Sequence, residues 1–188
     1  MPFRFPPAPR RRLRPPILTP TQKLHVRGHI ADYCARAEQN RLRWHYTQAR
    51  PFHGYGVPPE QPHAADCSGY VSLAFNWAMH ETGVYLADPL GERYTGWGYT
   101  GTMLAFLEPH PVPPTHKYLV GDVAIFGTAR VTVHTIVCRK DGSRLNAVWS
   151  SNGHESSVFN RDAPEPITLE AAAARQPLFG VYRHPALL

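Results

Sequence analysis

Cys67, His134 and the polar run Ser150-Ser151-Asn152-Gly153-His154-Glu155 are the residues whose types and order could carry covalent chemistry. Asp66-Cys67-Ser68-Gly69 opens an apolar run from Tyr70 to Ala78, so the cysteine stands where a loop becomes a helix. The free N–H groups and positive dipole end of a helix start favour an anion. A thiolate is such an anion, and it is the form that attacks a carbonyl carbon. This position predicts a lowered thiol pKa, and the small Ser68 and Gly69 predict close approach of a substrate to the sulfur. His134 lies in the alternating run Val131 to Cys138. Alternation puts Thr132, His134 and Ile136 on one face and Val131, Val133, Thr135 and Val137 on the other, so the imidazole can leave the more apolar side and act as a base. Asp141-Gly142 signals a turn, and Leu145 to Trp149 begins the next strand. Beyond it, Asn152 or His154 is the third group that would fix the imidazole tautomer. Gly153 can redirect the chain between them, so pleating does not choose.

The elements that must position these groups follow in order. A helix is predicted from about Thr21 to Arg43, then a long Pro/Gly loop to Ala65 and a helix from Cys67 to about Glu81. Thr102 to Leu107 reads as a short helix, and three or more strands are expected between about Asp122 and Phe159. Glu170 to Arg175 reads as a brief helix and Phe179 to Arg183 as a last strand. Helices first and an antiparallel sheet later is the α+β pattern. Leu73, Phe75 and Trp77 are better read as helix core than as a ligand cage.

The chain resembles a family at these residues. Asp66-Cys67-Ser68-Gly69, then Gly121-Asp122-Val123-Ala124-Ile125-Phe126, then His134 in a strand, is similar to the NlpC-type cell-wall cysteine peptidases, relatives of the papain-like fold. The resemblance runs from about Leu24 to Tyr182, and His134-Thr135-Ile136 replaces the family's usual H-V-G. Trp44-His45-Tyr46-Thr47-Gln48-Ala49-Arg50-Pro51 and Gly96-Trp97-Gly98-Tyr99-Thr100-Gly101-Thr102 resemble segments that flank the cysteine in a phage-associated branch. The common P-Y-x-W-G-G stretch is absent, with Tyr55-Gly56 near the place of its tyrosine.

The resemblance implies a papain-like core, with N-terminal helices and a nucleophile on a helix start, packed on an antiparallel sheet. It implies a catalytic set of Cys67, His134 and Asn152 (alternatively His154), with Asp66, Ser68 and Tyr55 toward the substrate. It implies a cysteine endopeptidase cutting the peptidoglycan stem peptide, at the D-glutamyl–diamino acid bond, as a phage lysin or virion-associated enzyme. An N-acetylmuramoyl-L-alanine amidase or an acyltransferase would use the same thiol chemistry. A non-catalytic structural or binding module of a virion is the reading outside enzymes.

The chain of 188 residues is one domain's length, and 43% hydrophobic with 18% charged residues is a globular composition. Seven basic residues and no acid precede Asp32, and seven prolines fall in the first twenty residues. Subtracting those seven from the net +6 leaves about −1 for the rest, so the basicity is N-terminal, and the expected division is a basic Pro-rich arm over 1–20 and a peptidase domain over 21–188. The arm suits a solvated tail, or docking to an anionic wall polymer or a virion protein. No nucleic-acid motif accompanies it, and no nucleic-acid partner is expected. No apolar run is long enough to span a bilayer, and no secretory apolar stretch follows the basic start. Delivery by a holin or a virion is therefore expected, with a cytoplasmic location until release. Three cysteines without a C-x-x-C pair give no disulfide framework, and Cys34 and Cys138 are expected to be packed. The eleven histidines form no close Cys/His cluster, so neither metal nor cofactor is expected.

Overall fold

The computed structural model describes residues 17–61, 63–128, 132–138, 147–149, 165–174 and 176–188. Helix α1 spans Pro20–Gln39, and a 3₁₀ turn follows at Arg41–Arg43. Thr19 starts α1 through a capping box: Gln22 N–H donates to Thr19 Oγ1 (3.2 Å) and Thr19 N–H to Gln22 Oε1 (2.9 Å). Pro20 occupies the first turn, where its missing N–H costs nothing. Leu18 is buried, so residues 18–20, expected in the arm, belong to the folded body. The arm residues 1–16 lie outside the described residues. Val26, Ile30, Tyr33, Cys34 and Ala37 form the buried stripe of α1, at helical spacing.

That stripe packs on α2, Cys67–Thr82, which is buried from Cys67 to Ala78 on every side. A helix apolar all round is a central core helix. Gly83, in the left-handed region at φ 64°, ends it. The short helix α3 is Thr100–Leu107, and α4 is Leu169–Ala173.

Two strands of two residues, β1 (Trp44–His45) and β2 (His63–Ala64), pair in parallel within the segment expected to be a loop. The main sheet has five strands: β3 (Val123–Gly127), β4 (Thr132–Cys138), β5 (Ala147–Trp149), β6 (Glu165–Ile167) and β7 (Leu178–Tyr182). Their order is β6-β5-β4-β3-β7, every neighbouring pair antiparallel. Helices leading into an antiparallel sheet make the α+β class. Val123, Ile125 and Val137 face the core built on α1 and α2, while Ala124, Phe126, Ile136 and Cys138 face a second layer with Val112, Leu169 and Val181. Cys34 and Cys138 are both fully buried, one in each layer.

Two buried polar groups brace the sheet, one within it and one against the helices. Asp122, fully buried, accepts from Arg183 Nε (2.7 Å) and Nη2 (2.8 Å) and from Leu119 N–H (2.8 Å), so β7 and the turn before β3 are tied together. Preceding it, Gly121 has φ 85°, and a Cβ there would stand 3.0 Å from Leu187 and 3.1 Å from Ile30. His184 is fully buried between Phe75 and Phe106. Its Nε2 donates to Ala87 O (3.0 Å) and its Nδ1 accepts from Ala186 N–H (3.1 Å). Burial holds its pKa down to about 4, so the ring is neutral.

Candidate active site

Asp66 is the N-cap of α2, and both its oxygens are engaged. Oδ1 accepts from Gly69 N–H (2.7 Å) and from the Ser68 hydroxyl (2.9 Å), and Oδ2 is paired with Arg50. Arg50 also donates to Gly98 O from Nε (2.9 Å) and to Ala49 O from Nη1 (3.1 Å). Its guanidinium carbon lies 5.3 Å from the centre of the Phe52 ring. One arginine thus joins the start of α2 to the loop before α3. Ser68 is fully buried, and a Cβ on Gly69 would lie 3.1 Å from Ala65 and 3.4 Å from Phe52. Their small size lets the helix start pack against the 50–66 loop. It does not open a path to the sulfur, as the sequence had suggested.

Cys67, 6% exposed, lies at the floor of a cleft of about 320 Å³. One wall is Tyr46, Gln48 and Arg50, alternate residues of an extended segment. The other is Trp97, Tyr99 and Thr100, at the start of α3. Cys67 Sγ is 3.9 Å from Thr100 Oγ1, so two helix N-termini converge on the thiol. Trp97 and Tyr99 are each 59% exposed at the rim. Gln48 Nε2 donates to the Tyr46 hydroxyl (3.0 Å), and burial, with the Cys67 and Asp66 charges adding, pushes that phenol up to about 12. These six wall residues fall in the two segments quoted for the phage-associated resemblance. The i, i+2, i+4 spacing of Tyr46, Gln48 and Arg50 was the signal that could have singled three of them out.

The electrostatics of the thiol run against expectation. Burial, followed by the Asp66 carboxylate, pushes Cys67 up to about 12. The backbone N–H groups of Thr135 and Ser68 and the Thr100 hydroxyl oppose that rise without overcoming it. At neutral pH the resting thiol is protonated, so the helix start alone does not produce a thiolate.

The Thr135 N–H acting on the sulfur puts β4 directly beside Cys67, which brings position 134 one peptide unit from the thiol. Register pairs His134 with Phe126 and Thr135 with Ile125. Strict alternation would set position 134 with Ile136, opposite the face that meets α2. The register shifts between Phe126 and Gly127, beside that pair. The shift falls between positions 132 and 134, and the pairing from position 134 to 137 stays regular.

Asn152 and His154 lie outside the described residues. Tyr55 is not in the wall of the cleft: its hydroxyl meets Ser72 Oγ (3.0 Å), and its ring packs against Phe52 (5.2 Å) and Tyr94 (5.3 Å). Among the described residues, no group of three or more His, Cys, Asp or Glu could hold a metal ion, and no helix is long and apolar enough to cross a membrane.

No protein-family model matches the chain, and no curated protein matches it.

Proposed function

We propose that this protein is a cysteine peptidase of the cell-wall type, hydrolysing an amide bond of the peptidoglycan stem peptide at Cys67. The observation that supports this most is the thiol at the floor of a cleft, at the N-terminus of α2 and beside that of α3, with β4 alongside. Cys67 Sγ attacks the amide carbonyl and His134 takes the thiol proton. His134 then gives that proton to the leaving amine, and water hydrolyses the thioester. Because the resting thiol is protonated, proton removal accompanies attack rather than preceding it. The N–H of Cys67 is one of the helix-start donors without an intrahelical acceptor, and it is suited to the oxyanion. Contacts of that kind contribute about 3–4 kcal/mol in other enzymes. Asn152 or His154 orients the imidazole. Asp66 and Ser68, engaged by the cap and Arg50, hold the thiol in place, which leaves substrate contacts to Tyr46, Gln48, Trp97 and Tyr99.

The resemblance supports the D-glutamyl–diamino acid bond as the point of cleavage and a phage virion or holin as the route to the wall. Mass spectrometry of purified peptidoglycan after incubation tests the reading. Stem-peptide fragments with a new amine on the diamino acid are expected, and Cys67→Ala releases none. Free lactyl-muramic termini would mean an amidase instead. Unchanged wall material would mean a binding module.

A further inference from the structure

We propose that the hydroxyl of Thr100 is a catalytic group, the side-chain donor to the oxyanion that forms when Cys67 attacks a carbonyl carbon. This role rests on acyl transfer at Cys67, as proposed above, and on no particular amide bond. Thr100 is the first residue of α3, is 7% exposed and lines the cleft beside Cys67. Its Oγ1 lies 3.9 Å from Cys67 Sγ, and among the described residues it has no other hydrogen-bond partner. A threonine near a helix start commonly bonds its own backbone. Here Thr102 does that work: its Oγ1 accepts from Tyr99 N–H (2.9 Å) and donates to Tyr99 O (2.9 Å). The Thr100 hydroxyl is left facing a thiol.

The sulfur has little need of it. The backbone N–H groups of Thr135 and Ser68 already act on Sγ. At 3.9 Å the hydroxyl is farther from the resting thiol than a firm hydrogen bond allows. The separation suits the adduct better. Once carbon is bonded to Sγ, the former carbonyl oxygen stands beyond the sulfur, and its donors must come within about 2.7–3.1 Å. A hydroxyl in the cleft wall, 3.9 Å from Sγ, is placed to meet that oxygen while the backbone stays still. The Cys67 N–H, at the start of α2, is the donor from the other helix. The positive end of α3 lies behind Thr100 and favours the same negative charge.

In the acylation step Sγ bonds to the carbonyl carbon, the thiol proton passes to the general base, and the carbonyl π pair moves onto oxygen. Thr100 donates a hydrogen bond to that oxygen and keeps its own proton. When the pair returns, the bond to the leaving group breaks and the proton held by the base follows the leaving group.

p-Nitrophenyl acetate tests the assignment without a natural substrate, because its acyl transfer to a thiol passes through the same oxyanion. Iodoacetamide alkylates the same sulfur with no oxyanion and serves as the control. Acetylation of Cys67, read as p-nitrophenolate release that is lost in Cys67→Ala, is expected in the wild type. Thr100→Val, which keeps the shape and removes the hydroxyl, should slow it about 100-fold. Alkylation of Cys67 in that variant should stay within about threefold of the wild type, since two backbone donors still serve the sulfur. Thr100→Ser should regain most of the acetylation rate, and Thr100→Ala replaces Thr100→Val should the latter fail to fold. Acetylation within about threefold of the wild type in the hydroxyl-free variant, acetylation and alkylation slowed in parallel, or no Cys67-dependent acetylation at all would overturn the proposal. Thr100-dependent acetylation by a protein that leaves peptidoglycan intact would support the role of Thr100 and refute the peptidase reading alone.

Discussion

Alkylation of Cys67 as a function of pH probes the site before any substrate is known. An ordinary cysteine thiol titrates near 8.5, so at pH 7.5 roughly a tenth of it is thiolate. With Cys67 pushed up to about 12, the thiolate fraction at the same pH falls to roughly 3 in 10⁵. A more basic thiolate is also a better nucleophile, with a Brønsted slope of about 0.4–0.5, which recovers roughly 1.5 of the 3.5 powers of ten. The net expectation is alkylation about 100-fold slower than free cysteine at pH 7.5. Iodoacetamide labelling between pH 6 and 10.5, followed by peptide mapping, reads this directly. The logarithm of the Cys67 rate should climb with unit slope across the range and show no plateau. Cys34 and Cys138, both fully buried, serve as internal controls and should label more slowly still. A plateau below pH 8 would refute the reasoning, because it would show a thiolate already formed at neutral pH.

Other perturbations follow from the same structure. The folded pKa of His184, held down to about 4, is below the ordinary value near 6.5. Between those values only the unfolded chain binds the proton, so this contribution is complete above about pH 6.5 and declines as pH falls toward 4. The loss is about 3 kcal/mol in all, and urea melts at pH 7 and 4 should differ by that much more in the wild type than in His184→Gln. Arg50→Met leaves the Asp66 carboxylate, about a tenth exposed, without its cation. Breaking a buried pair from one side costs about 3 kcal/mol, and a loss under about 0.5 kcal/mol by denaturant unfolding would remove Arg50 from its bracing role. Asn152→Ala should lower turnover by about 10–100-fold, within the scale of general acid–base contributions, whereas His154→Ala should mainly change KM; the reverse ranking passes the orienting role to His154.

Much of the fold was legible because its signals are local. Asp66 before an apolar run and Gly83 after it bracket α2, and the turn at Gly121-Asp122 announces β3. The pairing of Trp44–His45 with His63–Ala64 was not legible. Two residues carry no periodicity, and what holds them is the stacking of His63 on Trp44 and the edge-on contact of Trp44 with Tyr70. Cys67 at a helix start was read from sequence, but its pKa was misjudged. Burial and the Asp66 charge are tertiary facts, and they outweigh the helix dipole. Tyr55 was placed by analogy with a motif the chain lacks, and its contacts with Ser72, Phe52 and Tyr94 give it a packing role.

Acyl transfer through Cys67 is tested most directly by acid-quenching the protein during turnover of a purified muropeptide and measuring the mass of the proteolytic fragment containing Cys67. That fragment is predicted to carry the acyl half of the cleaved stem peptide as a thioester, which disappears when the substrate is exhausted. Cys67→Ala should give neither adduct nor product. Product formation without any adduct, persisting in Cys67→Ala, would contradict the assignment of the nucleophile.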